Sequence, residues 1–207
     1  MKLNRRNAMI LTAGTAASAL WPSALPAADE PPVNDDGLHT QPWFHNSFLD
    51  LKEDVAEANA AGKSLAIFWE QKGCPYCKEM HKVNLADEQV SGFIKENFVV
   101  LQLNLYGARA VTDFDGEEME ERELARRWKV NFTPTVVYFP KDPKEVAGKN
   151  GRDAEIWRLT GYWKPFHFLN SFRYVATGGY KDEPNFQKWL TDRREDLEAQ
   201  GQKVKLW

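Results

Sequence analysis

The sequence predicts an α/β protein in which helices cover both faces of a central sheet. Three observations carry this prediction. Continuous apolar runs at 65–69, 98–104 and 135–139 are typical of buried strands. Segments with helical apolar spacing separate the runs, which indicates strand-helix-strand units. A Cys-Pro-Tyr-Cys motif follows the first run and marks a strand-to-helix junction.

The elements of the first half are justified in order by spacing and punctuation. Phe48, Leu51 and Val55 recur at helical spacing, and Gly62 suits the helix end. Pro75 suits the first position of the next helix. The predicted elements are a helix over 47–61, a strand over 65–69, a helix over 74–83, a helical segment over 87–97 and a strand over 98–104.

The second half begins with two glycines and several acidic residues, which predict an inserted loop over 106–119. Aromatic side chains crowd the C-terminal region, and we interpret them as core that covers the sheet rather than as a docking surface. The predicted elements are a helix over 120–129, a strand over 135–139, a polar turn over 141–153, a strand over 156–159 and helices over 166–176 and 185–199.

The N-terminal residues have the anatomy of a signal peptide. Lys2, Arg5 and Arg6 precede an apolar stretch over 8–20, and small residues follow it up to Ala27. The stretch is short for a membrane span, although an uncleaved anchor is the alternative. We predict a signal peptide over residues 1–27, export to the periplasm by the general or the twin-arginine route, and no stable membrane insertion after cleavage.

Composition limits the function classes of the 207-residue chain. Hydrophobic residues make up 43% of it, which is enough for one real core. Its net charge of −3 gives no basic excess for a phosphate backbone, so nucleic-acid binding is not expected. Two cysteines cannot form a disulfide scaffold or a four-cysteine zinc site. The predicted domain plan is a flexible leader over 28–42, one domain over 43–163 and a C-terminal helical extension over 164–207 packed on it.

The two cysteines stand where dithiol chemistry needs them. Cys74 falls at the helix N-cap, where backbone N–H groups and the helix dipole favour a thiolate and lower the pKa of its thiol. Cys77, one step inside the helix, should be less exposed and less acidic. One sulfur that attacks a substrate disulfide and a second that resolves the mixed disulfide are the parts of an exchange reaction.

A zinc half-site is the competing interpretation of the motif. Cys74, Cys77 and His81 have the spacing Cys-x2-Cys-x3-His, but the other histidines show no ligand spacing for a closed site. We therefore expect no metal, and we interpret His81 as a solvent-exposed helix residue. The acidic stretch over 113–121 lacks the spacing of a calcium loop and is interpreted as solvated.

Two landmarks resemble the thioredoxin superfamily. Residues 65–78 (LAIFWEQKGCPYCK) are similar to its active-site strand and helix, and residues 130–139 (VNFTPTVVYF) are similar to the segment that carries its cis-proline. The resemblance implies a thioredoxin-like fold with a mixed sheet and an extra C-terminal helical segment. It implies catalytic roles for Cys74, Cys77 and Pro134. It also implies substrate contacts, which are assigned to Thr133, Pro75, Tyr76 and Trp69.

The segment around the motif and residues 161–174 resemble the periplasmic SoxW-like thioredoxins of the sulfur-oxidation operon. This resemblance implies a periplasmic reductant of protein disulfides, linked to sulfur oxidation or cytochrome maturation. A membrane electron donor of the CcdA/DsbD type would recharge it. No cofactor is implied beyond the redox-active disulfide itself.

The chain departs from the family at the proton acceptor. Thioredoxins place a buried Asp in the strand before the motif, whereas this chain has Ile67 there, so Glu70 is the candidate acceptor for Cys77. The Pro-Tyr dipeptide also differs from the Gly-Pro of thioredoxin. A thiol oxidase or isomerase resembling DsbA or DsbC is the first alternative function, and a non-catalytic interaction module is the second.

Overall fold

A four-stranded mixed sheet lies at the centre of the computed structural model, which describes residues 30–203. The strands are β1 (Ser64–Glu70), β2 (Phe98–Asn104), β3 (Ala110–Thr112), β4 (Glu118–Glu120), β5 (Thr135–Tyr138) and β6 (Trp157–Thr160). The central sheet has the order β2-β1-β5-β6. β1 runs parallel to β2, while β5 is antiparallel to both β1 and β6. The predicted α/β fold with a mixed sheet is confirmed.

Helices flank the sheet. They are α1 (Leu51–Ala60), α2 (Pro75–Glu79), α3 (Glu88–Asn97), α4 (Glu121–Arg127), α5 (Gly151–Ala154), α6 (Pro165–Ala176), α7 (Gly179–Asp182) and α8 (Phe186–Ala199). A π-helical turn, Met80–Asn84, extends α2, and a short 3₁₀ turn, Pro143–Glu145, lies in the predicted polar turn. The predicted C-terminal helical segment is present.

Strand β1 explains why both faces of the sheet are covered. Successive side chains of a strand point to opposite faces. Ile67 and Trp69 therefore enter one apolar core with residues of α1 and α4, while Ala66 and Phe68 enter a second core with residues of α3 and α6. Glu70, the last residue of the strand, follows the alternation onto the second face, where α2 and its π-helical extension also pack.

The first helix is shorter than predicted. The Asp50 side chain accepts hydrogen bonds from the backbone N–H groups of Lys52 and Glu53, so it caps α1 and fixes its start at Leu51. Before the cap, Leu49 has a φ of 65°. Phe48 is fully exposed, so its agreement with the helical apolar spacing was fortuitous.

The predicted inserted loop contains structure of its own. β3 and β4 form an antiparallel pair, and the turn between them buries Asp113 and Phe114 completely. Phe114 stacks parallel to Trp128 with 6.2 Å between ring centroids. The prediction of a plain loop is corrected here, because Val111 and Phe114 bring apolar surface that the first core covers.

The predicted signal peptide, residues 1–27, lies outside the described residues. The described part of the predicted flexible leader, residues 30–42, is packed rather than free. Leu38 is 1% exposed, Val33 bridges to His39, and Asn34 hydrogen-bonds to Gln102 of β2. The composition of three prolines and several acids gave no sign of these anchoring contacts.

The aromatic residues of the C-terminal region are core, as interpreted from the sequence. Phe168, Phe172 and Tyr174 of α6 are buried in the second core, and Trp163 and Trp189 pack against it. Among residues 30–203, no helix combines the length and the apolar character that crossing a membrane requires.

Candidate active site

The Cys-Pro-Tyr-Cys motif joins β1 to α2 in the predicted geometry. Cys74 is the N-cap of α2, and its Sγ accepts a hydrogen bond from the backbone N–H of Cys77 at 3.0 Å. Pro75 occupies the first helical position, where its missing N–H leaves no partner unsatisfied. Gly73 has a φ of 73°, a left-handed conformation that favours glycine and turns the chain into the helix.

Cys74 and Cys77 are joined by a disulfide, with 5.2 Å between their Cα atoms. The structure is therefore the oxidised state of the pair. Cys74 is 4% exposed and Cys77 is 1% exposed. The predicted order of exposure is found, although the attacking sulfur is more deeply set than the motif suggested.

The second landmark lies beside the disulfide. The Thr133–Pro134 peptide bond is cis, as predicted. The Thr133 hydroxyl lies 3.4 Å from Cys74 Sγ. The carbonyl of Pro134 accepts a hydrogen bond from the Gly161 N–H at 2.8 Å, which ties this loop to the end of β6. The topology thus brings Thr133 next to the sulfur of Cys74, which lies 59 positions earlier in the chain.

An aromatic groove opens next to the disulfide. Tyr76 and Phe132 are 61% and 65% exposed, and the Tyr76 ring stacks on Tyr162 at 6.2 Å. Burial, with a smaller effect of Glu79, raises the pKa of Tyr162. Its hydroxyl finds no hydrogen-bond partner within the described part of the chain. The groove is a shallow cavity of about 430 Å³ lined by Tyr76, Phe132, Thr133, Thr160, Gly161 and Tyr162.

Sequence reasoning found two of the groove residues, Tyr76 and Thr133, and missed Phe132 and Tyr162. The available signal was their place in the chain, since Phe132 precedes Thr133 and Tyr162 follows Gly161, the residue after β6. Trp69, in contrast, is fully buried and meets Trp128 edge-on at 5.8 Å between ring centroids. The predicted substrate contact of Trp69 is therefore corrected, because strand alternation points it into the first core.

A buried polar network lies at the end of β1. Glu70 and His81 are 0% and 1% exposed. His81 Nε2 lies 3.0 Å and 3.1 Å from the two carboxylate oxygens of Glu70. Gln102 donates to Glu70 Oε1 at 2.8 Å and to the His39 carbonyl at 2.6 Å. The network places the candidate proton acceptor Glu70 on the sheet face that carries α2.

The prediction that His81 is exposed is wrong. The π-helical turn contains it, and the ring lies between Glu70 and the N-terminal segment, where Gln41 Nε2 is 3.2 Å from Nδ1. Both ring nitrogens are thus engaged by other groups, and both cysteines are bonded to each other. Within residues 30–203, no group of three or more potential ligands has metal-site geometry.

Comparison with known families and proteins agrees with the resemblance to the thioredoxin superfamily. The model of the family described as a thioredoxin-like domain matches residues 51–176. The match includes α6, which the domain plan assigned to the C-terminal extension. The thiol:disulfide interchange protein DsbD of Colwellia psychrerythraea is 24% identical over 136 residues, 66% of this chain and 20% of DsbD. The chain therefore spans a fifth of that relative's length.

Solved structures include similar chains. A thioredoxin from Thermus thermophilus is 31% identical, with 65% of this chain and 90% of that chain covered and a TM-score of 0.47. A thioredoxin-fold protein from Helicobacter pylori is 25% identical, with coverages of 63% and 81% and a TM-score of 0.47. The oxidised C-terminal domain of DsbD from Neisseria meningitidis is 16% identical, with coverages of 62% and 97% and a TM-score of 0.39.

Proposed function

Because this chain belongs to the thioredoxin-like domain family, we propose that it is a thiol-disulfide oxidoreductase that reduces protein disulfides through Cys74 and Cys77. One observation carries the proposal: a disulfide at the first turn of α2, with Cys74 at the N-cap and Thr133 beside its sulfur. The Colwellia relative is named a thiol:disulfide interchange protein, which supports an exchange reaction.

The reaction transfers two electrons and two protons to the substrate. Starting from the dithiol, the Cys74 thiolate attacks one sulfur of the substrate disulfide. A Cys74–substrate bond forms, and the other substrate sulfur leaves as a thiolate that takes up a proton. Cys77 then loses its proton and attacks Cys74 Sγ. The Cys74–Cys77 bond forms as the mixed disulfide breaks, and the second substrate sulfur is released and protonated.

Cys74 is the attacking residue in this proposal. Its Sγ already accepts the Cys77 N–H and sits at the positive end of α2, and both features stabilise a thiolate. Cys77 is deeper and is reached through Cys74. With two cysteines in the chain, both roles are filled.

The aromatic groove is the proposed substrate contact. A peptide segment lying across Tyr76 and Phe132 would bury apolar surface, while Thr133 and Pro75 would flank the reacting sulfurs. The Tyr162 ring, which stacks on Tyr76, lines the groove beside them. Protein disulfides in exposed, apolar surroundings fit this surface best.

The wider setting is also a proposal. The N-terminal features around Lys2, Arg5 and Arg6 support export to the periplasm, and the motif supports a place in the SoxW-like group. There the protein would serve sulfur oxidation or cytochrome maturation. A membrane electron donor of the CcdA/DsbD type would reduce the Cys74–Cys77 disulfide again, and this pair would be the whole redox centre.

A trapping experiment tests the roles of the cysteines. Cys77→Ser in the reduced state should form a stable mixed disulfide with a model substrate such as insulin, because no resolving thiol remains. Cys74→Ser is the matched control and should trap nothing. Trapping by Cys74→Ser and none by Cys77→Ser would reverse the assignment. Insulin reduction that survives loss of both cysteines would overturn the function.

The direction of electron flow is tested by the reduction potential in a glutathione series. A reductase should lie between about −270 mV and −200 mV, the range of thioredoxins and glutaredoxins. A value above about −160 mV, toward the potential near −120 mV of the oxidase DsbA, would favour the oxidase or isomerase alternative.

A further inference from the structure

The N-terminal segment, residues 30–44, wraps the active-site helix. Glu30 forms an ion pair with Lys78 of α2. Gly37 lies so close to the Lys72 side chain that an added Cβ would be 2.9 Å from its Cδ. Phe44 packs edge-on against Phe68 of β1 and lies 5.6 Å from the His81 ring. This segment precedes the residues matched by the family model, so the family does not account for it.

Two groups of the segment reach the buried network. The His39 carbonyl accepts from Gln102, the amide that also donates to Glu70. Gln41 reaches His81 Nδ1 at 3.2 Å. In the assigned orientation the Gln41 amide donates to Nδ1, which leaves the ring proton on Nε2, directed at Glu70. The ring is then the tautomer that donates to Glu70.

A side-chain amide can hydrogen-bond to Nδ1 of this ring in either of its protonation states. When Nδ1 gains a proton, the Gln41 amide can turn and accept with its oxygen, since it carries both a donor and an acceptor. Nε2–H keeps its bond to Glu70 in both states. We propose that Gln41 is a positioning residue that lets His81 take up a proton while Cys77 ionises, so that the N-terminal segment is part of the active site.

The coupling follows from the position of Cys77. It lies four residues before His81 on one continuous helical segment, and both side chains are 1% exposed. In a buried site, an imidazolium stabilises a nearby thiolate, whereas a lone Glu70 carboxylate opposes it. The other charged or titratable groups of the surrounding elements are Lys72, Lys78, Glu79 and Lys82 on the motif and its helix, Glu30, Asp35, Asp36 and His39 on the N-terminal segment, and Arg109, which pairs with Asp36 and donates to the Gln102 carbonyl.

The proposal rests on the proposed function and adds the proton balance of its second step, in which Cys77 resolves the mixed disulfide. As Cys77 loses its proton to solvent, His81 Nδ1 gains one from solvent. The summed charge of Cys77 and His81 therefore does not change. When the Cys77 thiolate has become a disulfide sulfur, His81 returns its proton, which goes to the departing substrate thiolate or to water.

Single turnover of the reduced protein with the aromatic disulfide DTNB tests this proposal. The first thionitrobenzoate is released by Cys74, and the second is released when Cys77 resolves the mixed disulfide. The rate of the second release is measured against pH. Gln41→Leu removes the acceptor for Nδ1–H and should move the half-maximal pH up by about one unit. Gln41→Glu favours the imidazolium and should move it down by a similar amount.

Asn46→Leu is the matched control. Asn46 follows the N-terminal segment in the chain, and its exposed side-chain amide makes no hydrogen bond within residues 30–203. The profile of this variant should match that of the wild type. In all variants the rate at high pH should stay unchanged, since Cys77 is then ionised without help. Circular dichroism and thermal unfolding establish that each variant is folded.

Opposite shifts by the two Gln41 variants at a constant high-pH rate support the proposal. Shifts in the same direction, no shift, or a lowered high-pH rate would overturn it, because those results indicate structural damage or no role. A wild type that releases one thionitrobenzoate and no second would contradict the proposed function itself. The two failures are therefore distinguishable.

Discussion

Two fully buried carboxylates lie on opposite faces of the sheet, and their partners differ in kind. Asp113 accepts from the backbone N–H groups of Phe114 and Gly151 and from the side chains of Arg127 and Trp128, at 2.8 to 3.0 Å. None of these donors can change its protonation near neutral pH. Glu70, in contrast, faces His81 and the amide of Gln102.

Burial alone therefore does not assign a role to an acidic residue. Asp113 has a fixed set of donors that joins the β3–β4 turn to α4 and α5, so its charge serves architecture. The partner of Glu70 is a histidine whose own charge can change, and it lies one turn from a redox-active cysteine. We therefore expect substitutions at the two positions to separate stability from catalysis.

The largest effect is expected at Asp113. In Asp113→Asn, the amide nitrogen would face N–H donors that the carboxylate accepts from, and the charge opposite Arg127 would be lost. The free energy of unfolding should fall by about 3 kcal/mol, measured by urea denaturation. The resolution rate per folded molecule should be unchanged.

Asp115→Asn is the control for this prediction, because Asp115 pairs with the same Arg127 at the surface. A partly exposed pair of this kind contributes about 1 kcal/mol or less. Equal losses for Asp113→Asn and Asp115→Asn would mean that the buried donors around Asp113 add little, and the comparison with Glu70 would lose its basis.

Glu70→Gln should have the complementary effect. The amide oxygen can still accept from His81, so the unfolding free energy should change by about 1 kcal/mol or less. The resolution rate at pH 7 should fall by about tenfold, because the neutral amide no longer stabilises the protonated His81 that favours the Cys77 thiolate. Release of the second thionitrobenzoate from DTNB measures it. A full rate together with a large loss of stability would make Glu70 a structural residue like Asp113.

The sequence predicted the part of this site that lies within one motif or one strand. Cys74 and Pro75 predict the helix start because their side chains suit its first positions, and the apolar runs predict the strands. The Glu70 candidate followed from its place between strand and motif. Each of these inferences depends on neighbours along the chain, which the sequence displays directly.

The residues that the sequence did not predict depend on long-range contacts. His81 was predicted to be exposed because the sequence pattern indicated a regular helix and gave no sign of the π-helical turn. Gln41 was placed in a flexible leader because its partner lies 40 positions away. Trp69 looked like a substrate contact because it borders the motif, but strand alternation turns it inward. Asp113 looked solvated because its neighbours are acidic, while its donors Trp128 and Gly151 come from elsewhere.

The smallest effect is a pH dependence that distinguishes the two acids around Arg127. Burial raises the pKa of Asp113 above its ordinary value of 3.8, against the opposing hydrogen bonds from Trp128 and the Phe114 N–H. The hydrogen bond from Arg127 lowers the pKa of Asp115. An acid with a raised pKa binds its proton more tightly in the folded state, so its contribution to stability grows as pH falls through that pKa.

The difference in unfolding free energy between wild type and Asp113→Asn should therefore widen as pH falls from 7. This difference should reach its largest value below the ordinary pKa of an aspartate. The difference between wild type and Asp115→Asn should narrow over the acidic range, because the Asp115 proton is bound more weakly in the folded state. Urea denaturation of the three proteins across this range gives both signs. If the Asp113 difference narrowed instead, the four hydrogen bonds would outweigh burial. Asp113 would then be held as an anion as firmly as a surface ion pair, and its contrast with Glu70 would rest on partner chemistry alone.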